Sequence, residues 1–156
     1  MEAIIVQRVI AAPPQAVFDW ISNAHNYTRI PGILHEHLAQ RGTDAAYGRG
    51  AVRMLVAVFG VFWERITAYD PPHSFDYHVY RVFPPARHEH GRVSLAIVDG
   101  GTHVTWTSTV QLRIPIVGAI LTRLIARPIF TYVFSRALDL AAQDLVTGDR
   151  RLSGNR

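Results

Sequence analysis

Between residues 33 and 114 the chain is cut at short intervals by turn signals. These are Tyr47-Gly48-Arg49-Gly50, Phe59-Gly60, Asp70-Pro71-Pro72-His73, Pro84-Pro85 and Asp99-Gly100-Gly101-Thr102. The segments between them are rich in Val, Ile, Thr and aromatic residues, which predicts about six strands in succession. Another strand, Glu2–Ile10, opens the chain. Proline stands at the start of "AAPPQAVFDWIS", where a first helical turn tolerates it, and Val17, Trp20 and Ile21 follow at helical spacing. Asn23 can cap a second short helix that Pro31-Gly32 ends. Residues from about Val117 to Val146 read as helix, with Pro128 in the middle. The apolar stripe changes side there, from Leu121 and Ile125 to Phe130, Phe134, Leu138, Ala141 and Leu145, as a kink at the proline requires. The pattern is α+β: a sheet packed in one layer against helices.

The hairpin turns set a register. A two-residue Gly100-Gly101 turn pairs Asp99 with Thr102, which puts Val93, Leu95 and Ile97 on one apolar face with Val104, Trp106 and Ser108. A Pro71-Pro72 turn likewise gathers Phe62, Ile66 and Ala68 with Phe75, Tyr77 and Val79. Alternation places two charges, Glu64 and Arg81, on that same face. They form either an ion pair at the strand ends or a polar anchor within a cavity, where a carboxylate and a guanidinium could orient a ligand.

The tripeptide His-Glu-His occurs twice, at His35–His37 and His88–His90. Counting back by twos from Val93 puts Gly91 and Glu89 inside and leaves His88 and His90 outside. Leu34 and Leu38 are the expected inner pair of the earlier strand, which leaves His35 and His37 outside as well. Two histidines at i,i+2 could share a metal but need a third ligand, and the sequence has no HExxH to provide one. No metal is expected.

Composition removes several chemistries. The chain has no cysteine, hence no disulfide, thiolate nucleophile or Cys-ligated zinc, and its 16 basic residues are all arginine, so no Schiff base or P-loop lysine is available. The arginines are scattered from Arg8 to Arg156, a pattern that argues against a nucleic-acid surface. The N-terminus lacks the basic stretch of a signal peptide, and a cytoplasmic protein is expected. The apolar segment Ile114–Phe134 carries Arg123 and Arg127 near its middle. It reads as an amphipathic helix and leaves peripheral membrane contact open.

"RVIAAPPQAVFDWISNAHNYTRIPGI", "YGRGAVRM", "WERITAYDPPHSFDYHV" and "DGGTHVTWTSTV" resemble, in order and spacing, the polyketide cyclase/dehydrase and lipid-transport family of the START-like, Bet v 1-like superfamily (SRPBCC). The resemblance implies a helix-grip fold. Seven antiparallel strands curl around the long C-terminal helix, two short helices lie between strands 1 and 2, and a hydrophobic cavity lies between sheet and helix. Residues 1–148 are then one ligand-binding domain and 149–156 a disordered tail. The inward set expected to line the cavity is Met54, Glu64, Tyr77, Arg81, Trp106 and Ser108 from the sheet, with Leu121 and Ile125 from the helix. The resemblance brings no cofactor and no catalytic motif that maps onto this chain.

Three functions stand open on this reading. One is binding of a small hydrophobic molecule such as a lipid, polyketide or isoprenoid, for carriage or sensing. The second is a cyclase or dehydratase of a polyketide-like substrate, with Glu64 as its acid/base and Tyr77 and Arg81 assisting. The third is an interaction module whose arginine-rich exterior meets an acidic partner or RNA.

Overall fold

A computed structural model describes residues 1–153, with side chains to Val146. The chain runs β1 (Glu2–Ile10), α1 (Pro14–Ser22), a 3₁₀ helix (Ala24–Arg29), β2 (Ile33–Gln40), β3 (Val52–Ala57), β4 (Gly60–Asp70), β5 (Ser74–Phe83), β6 (Ala86–Val98) and β7 (Gly101–Leu112). It ends in α2 (Gly118–Leu121), a π-helical turn (Thr122–Ala126) and α3 (Arg127–Ser153). The strands form one antiparallel sheet in the order β1-β7-β6-β5-β4-β3-β2. This is the expected helix-grip architecture, with the two short helices between the first two strands. The expected tail overlaps the end of α3, and its last residues, 154–156, lie outside the described residues.

Local chemistry explains the helical elements. Pro14 occupies the first turn of α1, where its missing N–H costs nothing, and Val17, Phe18, Trp20 and Ile21 bury one face. The Asn23 side chain accepts from the His25 amide to start the 3₁₀ helix. Asp144 on α3 ties both pieces down, accepting from Trp20 Nε1 at 2.9 Å and from Arg29 Nη2 at 3.0 Å. The Arg29 hydrogen bond holds the Asp144 carboxyl below the usual carboxylate range.

The break in the C-terminal helix falls one turn earlier than the proline suggested. The Arg127 amide donates to the Thr122 carbonyl, five residues back, and this widened turn directly precedes Pro128, which has no N–H to donate. The extra residue rotates the helix. Thr122 and Ala126 become the buried positions, with Leu121 half-buried and Ile125 exposed by half. Beyond it, Phe134, Leu138 and Ala141 fill the sheet's concave face as expected, joined by Ala137, and Phe130 and Leu145 pack at its margins.

The β6–β7 turn is Asp99-Gly100, because Val98 pairs with Gly101 and Leu95 with Val104. Partners therefore shift by two residues from expectation, which leaves the side chains from Val93 to Ile97 and from Val104 to Ser108 on their predicted faces. The hairpin tip overshoots the core, so Ile97 is exposed. β5 and β6 pair over four couples, from Ser74–Ser94 to Tyr77–Gly91. The Tyr77 ring lies over Gly91, where a Cβ would come within 2.2 Å of Cζ. Gly91→Ala is expected to cost about 1–3 kcal/mol through this overlap. A urea midpoint equal to wild type would show that Tyr77 does not sit there.

Candidate functional site

Between the concave face of the sheet, the 3₁₀ helix and α3 lies an apolar cavity of about 200 Å³. Phe59, Phe62, Phe130, Trp106 and Phe134 form much of its wall. Trp106 stacks on Phe134 with ring centroids 4.3 Å apart, and Phe130 meets Phe59 and Phe62 edge-on.

Into this wall the sheet introduces a small set of polar groups. Glu64 is buried and lines the cavity, as alternation along β4 predicts. Its partner is Arg53, which stands directly across the β3–β4 ladder and donates from Nε to Glu64 Oε2 at 2.7 Å. Arg53 is 1% exposed, and its guanidinium sits 5.6–5.9 Å from the ring centroids of Tyr27, Phe75 and Tyr77. Burial works most strongly against its charge, but the Glu64 carboxylate together with Tyr27 and Tyr77 raises the guanidinium's pKa. Arg53 Nη1 is buried and lacks a hydrogen-bond partner, the one such side-chain atom among the described residues.

Tyr77, Trp106 and Ser108 are buried and line the cavity as expected, with Trp106 Nε1 donating to the Tyr77 hydroxyl at 2.8 Å. Burial, with Glu64 nearby, raises the Tyr77 pKa. Ile125 lies at the rim. The other three expected residues are elsewhere. Met54 is on the opposite face of β3, because Arg53 and Leu55 take the inward positions. Arg81 is exposed and stacks 4.7 Å over Trp63. The reason is a bulge in β5: Glu64 pairs with Val79 and Trp63 with Arg81, so the intervening Tyr80 is unpaired and Val82 turns inward instead. Leu121 is displaced from the cavity by the π-turn.

The histidine expectation fails at one position. His88 is buried and lines the cavity, while Glu89, expected inside, is exposed. The register slips between His88 and Gly91, setting Glu89 and His90 against Thr109 and reversing the alternation. His88 stacks on Tyr77, and its Nδ1 accepts from the Val79 amide at 3.1 Å. The ring proton therefore resides on Nε2, which donates to Ser108 Oγ at 2.8 Å. In this tautomer His88 cannot take a proton from Ser108, so the pair is not a nucleophile and its base. Burial, aided by His78 and His90, lowers the His88 pKa to about 4. In the other tripeptide His35 and His37 are exposed as expected. A bulge between Ile33 and His35 puts Leu34 out, while Glu36 stays in, where it accepts from Tyr47 at 3.0 Å.

Tyr27, from the 3₁₀ helix, completes the polar set. It is buried against Trp106, its hydroxyl donates to the Ile21 carbonyl, and burial with Glu64 and Glu36 nearby pushes its pKa up to about 12 while Arg53 opposes the rise. The sequence reading passes over Tyr27, Arg53 and Glu36 as site residues and places His88 outside. For Arg53 a signal existed: a lone charge inside the apolar strand "AVRMLVA".

A curled seven-stranded sheet closed by a long helix over an apolar cavity defines a helix-grip domain. Residues 1–147 match the family described as "Polyketide cyclase / dehydrase and lipid transport", and the chain belongs to that family. Among solved structures, a protein from Thermus thermophilus superposes with a TM-score of 0.74 at 18% identity, over 92% of this chain and 98% of that one. A START superfamily protein from Mycobacterium smegmatis gives a TM-score of 0.71 at 15% identity, again over 92% and 98%. The di-domain ARO/CYC BexL of the BE-7585A biosynthetic pathway gives 0.70 at 20% identity, over 92% of this chain and 49% of BexL. At these identities the likeness is one of fold. No curated protein matches the chain by sequence.

Proposed function

We propose that the protein binds a small hydrophobic molecule, of lipid, polyketide or isoprenoid type, in the cavity between the sheet and α3. Residues 1–148 act as the single ligand-binding domain. Arg53, held by Glu64, fixes the guest's one oxygen-bearing end. The observation that carries this reading is the unpartnered Arg53 Nη1 in a mostly apolar chamber. A buried N–H without a partner costs free energy that a carbonyl, enolate or carboxylate oxygen on the guest would return. Sheet and helix supply the affinity by burial, and Arg53 supplies orientation.

Native mass spectrometry of the purified protein, followed by organic extraction, tests this. The expected result is a stoichiometric apolar adduct that leaves on denaturation. Arg53→Gln should reduce its occupancy at least about tenfold, the loss of one charge-assisted hydrogen bond. An adduct retained equally by Arg53→Gln would remove the anchor from the reading.

A second reading is a cyclase or dehydratase, favoured by the three ionisable side chains Glu64, Tyr77 and His88 around the same space. It would show as turnover lost in Glu64→Gln while ligand affinity persists.

A further inference from the structure

The segment after β7 exposes aliphatic side chains in an order that the fold does not require. Ile116, Ile120 and Leu124 are 100%, 58% and 66% exposed at four-residue intervals, and Val117 and Ile125 beside them are about half exposed. Phe83, which ends β5 at the β5–β6 connection, is also exposed. This connection is joined to the same segment by the Arg113 amide, which donates to the Pro85 carbonyl at 2.9 Å. An apolar patch of this kind on a monomer marks a contact surface. Among the described residues no helix is long and apolar enough to cross a membrane.

Charge identifies what the surface would meet. From Gly100 to Leu138 the chain has no acidic residue but holds Arg113, Arg123, Arg127 and Arg136. Of the chain's 16 arginines the other 12 are matched by its 12 acids, so the whole formal excess of +4 lies in this stretch. Arg113, Arg123 and Arg127 are exposed and interleave the aliphatic residues; Arg127 also reaches Glu2 at 3.4 Å. Aliphatic residues framed by arginine suit the interface of an anionic bilayer, where apolar side chains enter the acyl boundary and guanidinium groups meet phosphate. A second copy is a poorer fit, since a two-fold contact through this patch would bring like arginines together.

The patch also adjoins the cavity. Ile125 is both half exposed and a cavity-lining residue, and exposed Pro84 also lines the cavity. We propose that the Ile114–Arg127 segment, with Phe83, is a docking surface for membranes bearing anionic lipids, set at the mouth of the cavity. There an apolar guest passes between bilayer and chamber without crossing water.

The test is co-sedimentation with vesicles of phosphatidylcholine plus phosphatidylglycerol and with vesicles of phosphatidylcholine alone. Binding to the anionic vesicles is expected, with little to the neutral ones. Arg113→Gln/Arg123→Gln should weaken it roughly 25-fold, about fivefold per arginine. Ile116→Ser/Leu124→Ser should weaken it at least about tenfold. All four side chains are exposed, and unchanged thermal melting would show that the variants remain folded. Failure of the wild type to bind anionic vesicles would overturn the proposal. So would equal binding to both vesicle types, or an aliphatic double variant that binds like wild type. Concentration-dependent dimerisation abolished by Ile116→Ser/Leu124→Ser, without vesicle binding, would assign the patch to a second copy instead. Each result is independent of whether the cavity holds a guest.

Discussion

Arg53→Met is expected to destabilise the protein by about 3–5 kcal/mol. The loss is not the worth of the ion pair. Removing the guanidinium strands the Glu64 carboxylate in the cavity wall, deprived of the hydrogen bond at 2.7 Å from Arg53 Nε. Three aromatic rings lose the cation they surround. A protein this size has roughly 5–15 kcal/mol of stability in total, so the variant would stand near the limit of folding. Arg53→Met/Glu64→Leu removes both charges and should recover most of the loss, since a well-packed apolar pair often equals a buried ion pair. Urea denaturation of the two variants and wild type measures the effect. A double variant no more stable than Arg53→Met would refute the stranded-charge account. Arg53 would then owe its contribution to packing.

The second large effect is on acid stability. His88 has a pKa of about 4 in the fold against 6.5 in a free chain. Above pH 6.5 the ring is neutral in the folded and unfolded states alike, and its contribution is complete. Below that, the unfolded chain takes up a proton that the buried ring refuses until about pH 4. Stability therefore falls as pH drops through that window and levels off beneath it, by roughly 3 kcal/mol in all. His88→Asn keeps an acceptor for the Val79 amide but does not titrate there. Denaturation of wild type and His88→Asn at several pH values between 7 and 4 isolates the histidine from the carboxylates, which are common to both. The stability difference between the two should narrow by that amount on acidification. Parallel curves would mean that His88 titrates like a free histidine.

Much of the fold is legible in the sequence because turns and alternation are local. Gly-Gly and Pro-Pro punctuation counts the strands, and Val93, Leu95, Val104 and Trp106 show which face is inward even though the actual hairpin partners lie two residues away. The site is less legible for one physical reason: alternation of period two carries across a strand only until a bulge. Tyr80 reverses it in β5 and removes Arg81 from the cavity. The slip between His88 and Gly91 reverses it in β6 and brings His88 in. The slip after Ile33 turns Leu34 out of the expected inner face of β2, while Glu36 keeps the inward place alternation from Leu38 gives it. A bulge needs no signature residue, and its position follows from long-range packing such as the Tyr77 ring on Gly91. Tyr27 was hidden differently, on a 3₁₀ helix whose buried face, Ala24, Tyr27 and Ile30, recurs every three residues and not at α-helical spacing.

The short seam between β5 and β6 gives the sheet an uneven ladder. One panel, β1-β7-β6, and the other, β5-β4-β3-β2, are stitched by four residue couples near one end. Toward the other end the Val79 amide, which a continuous ladder would have satisfied with backbone, is held by the His88 ring. Along that line the chamber wall is held by a side chain, the His88 ring, and not by ladder hydrogen bonds.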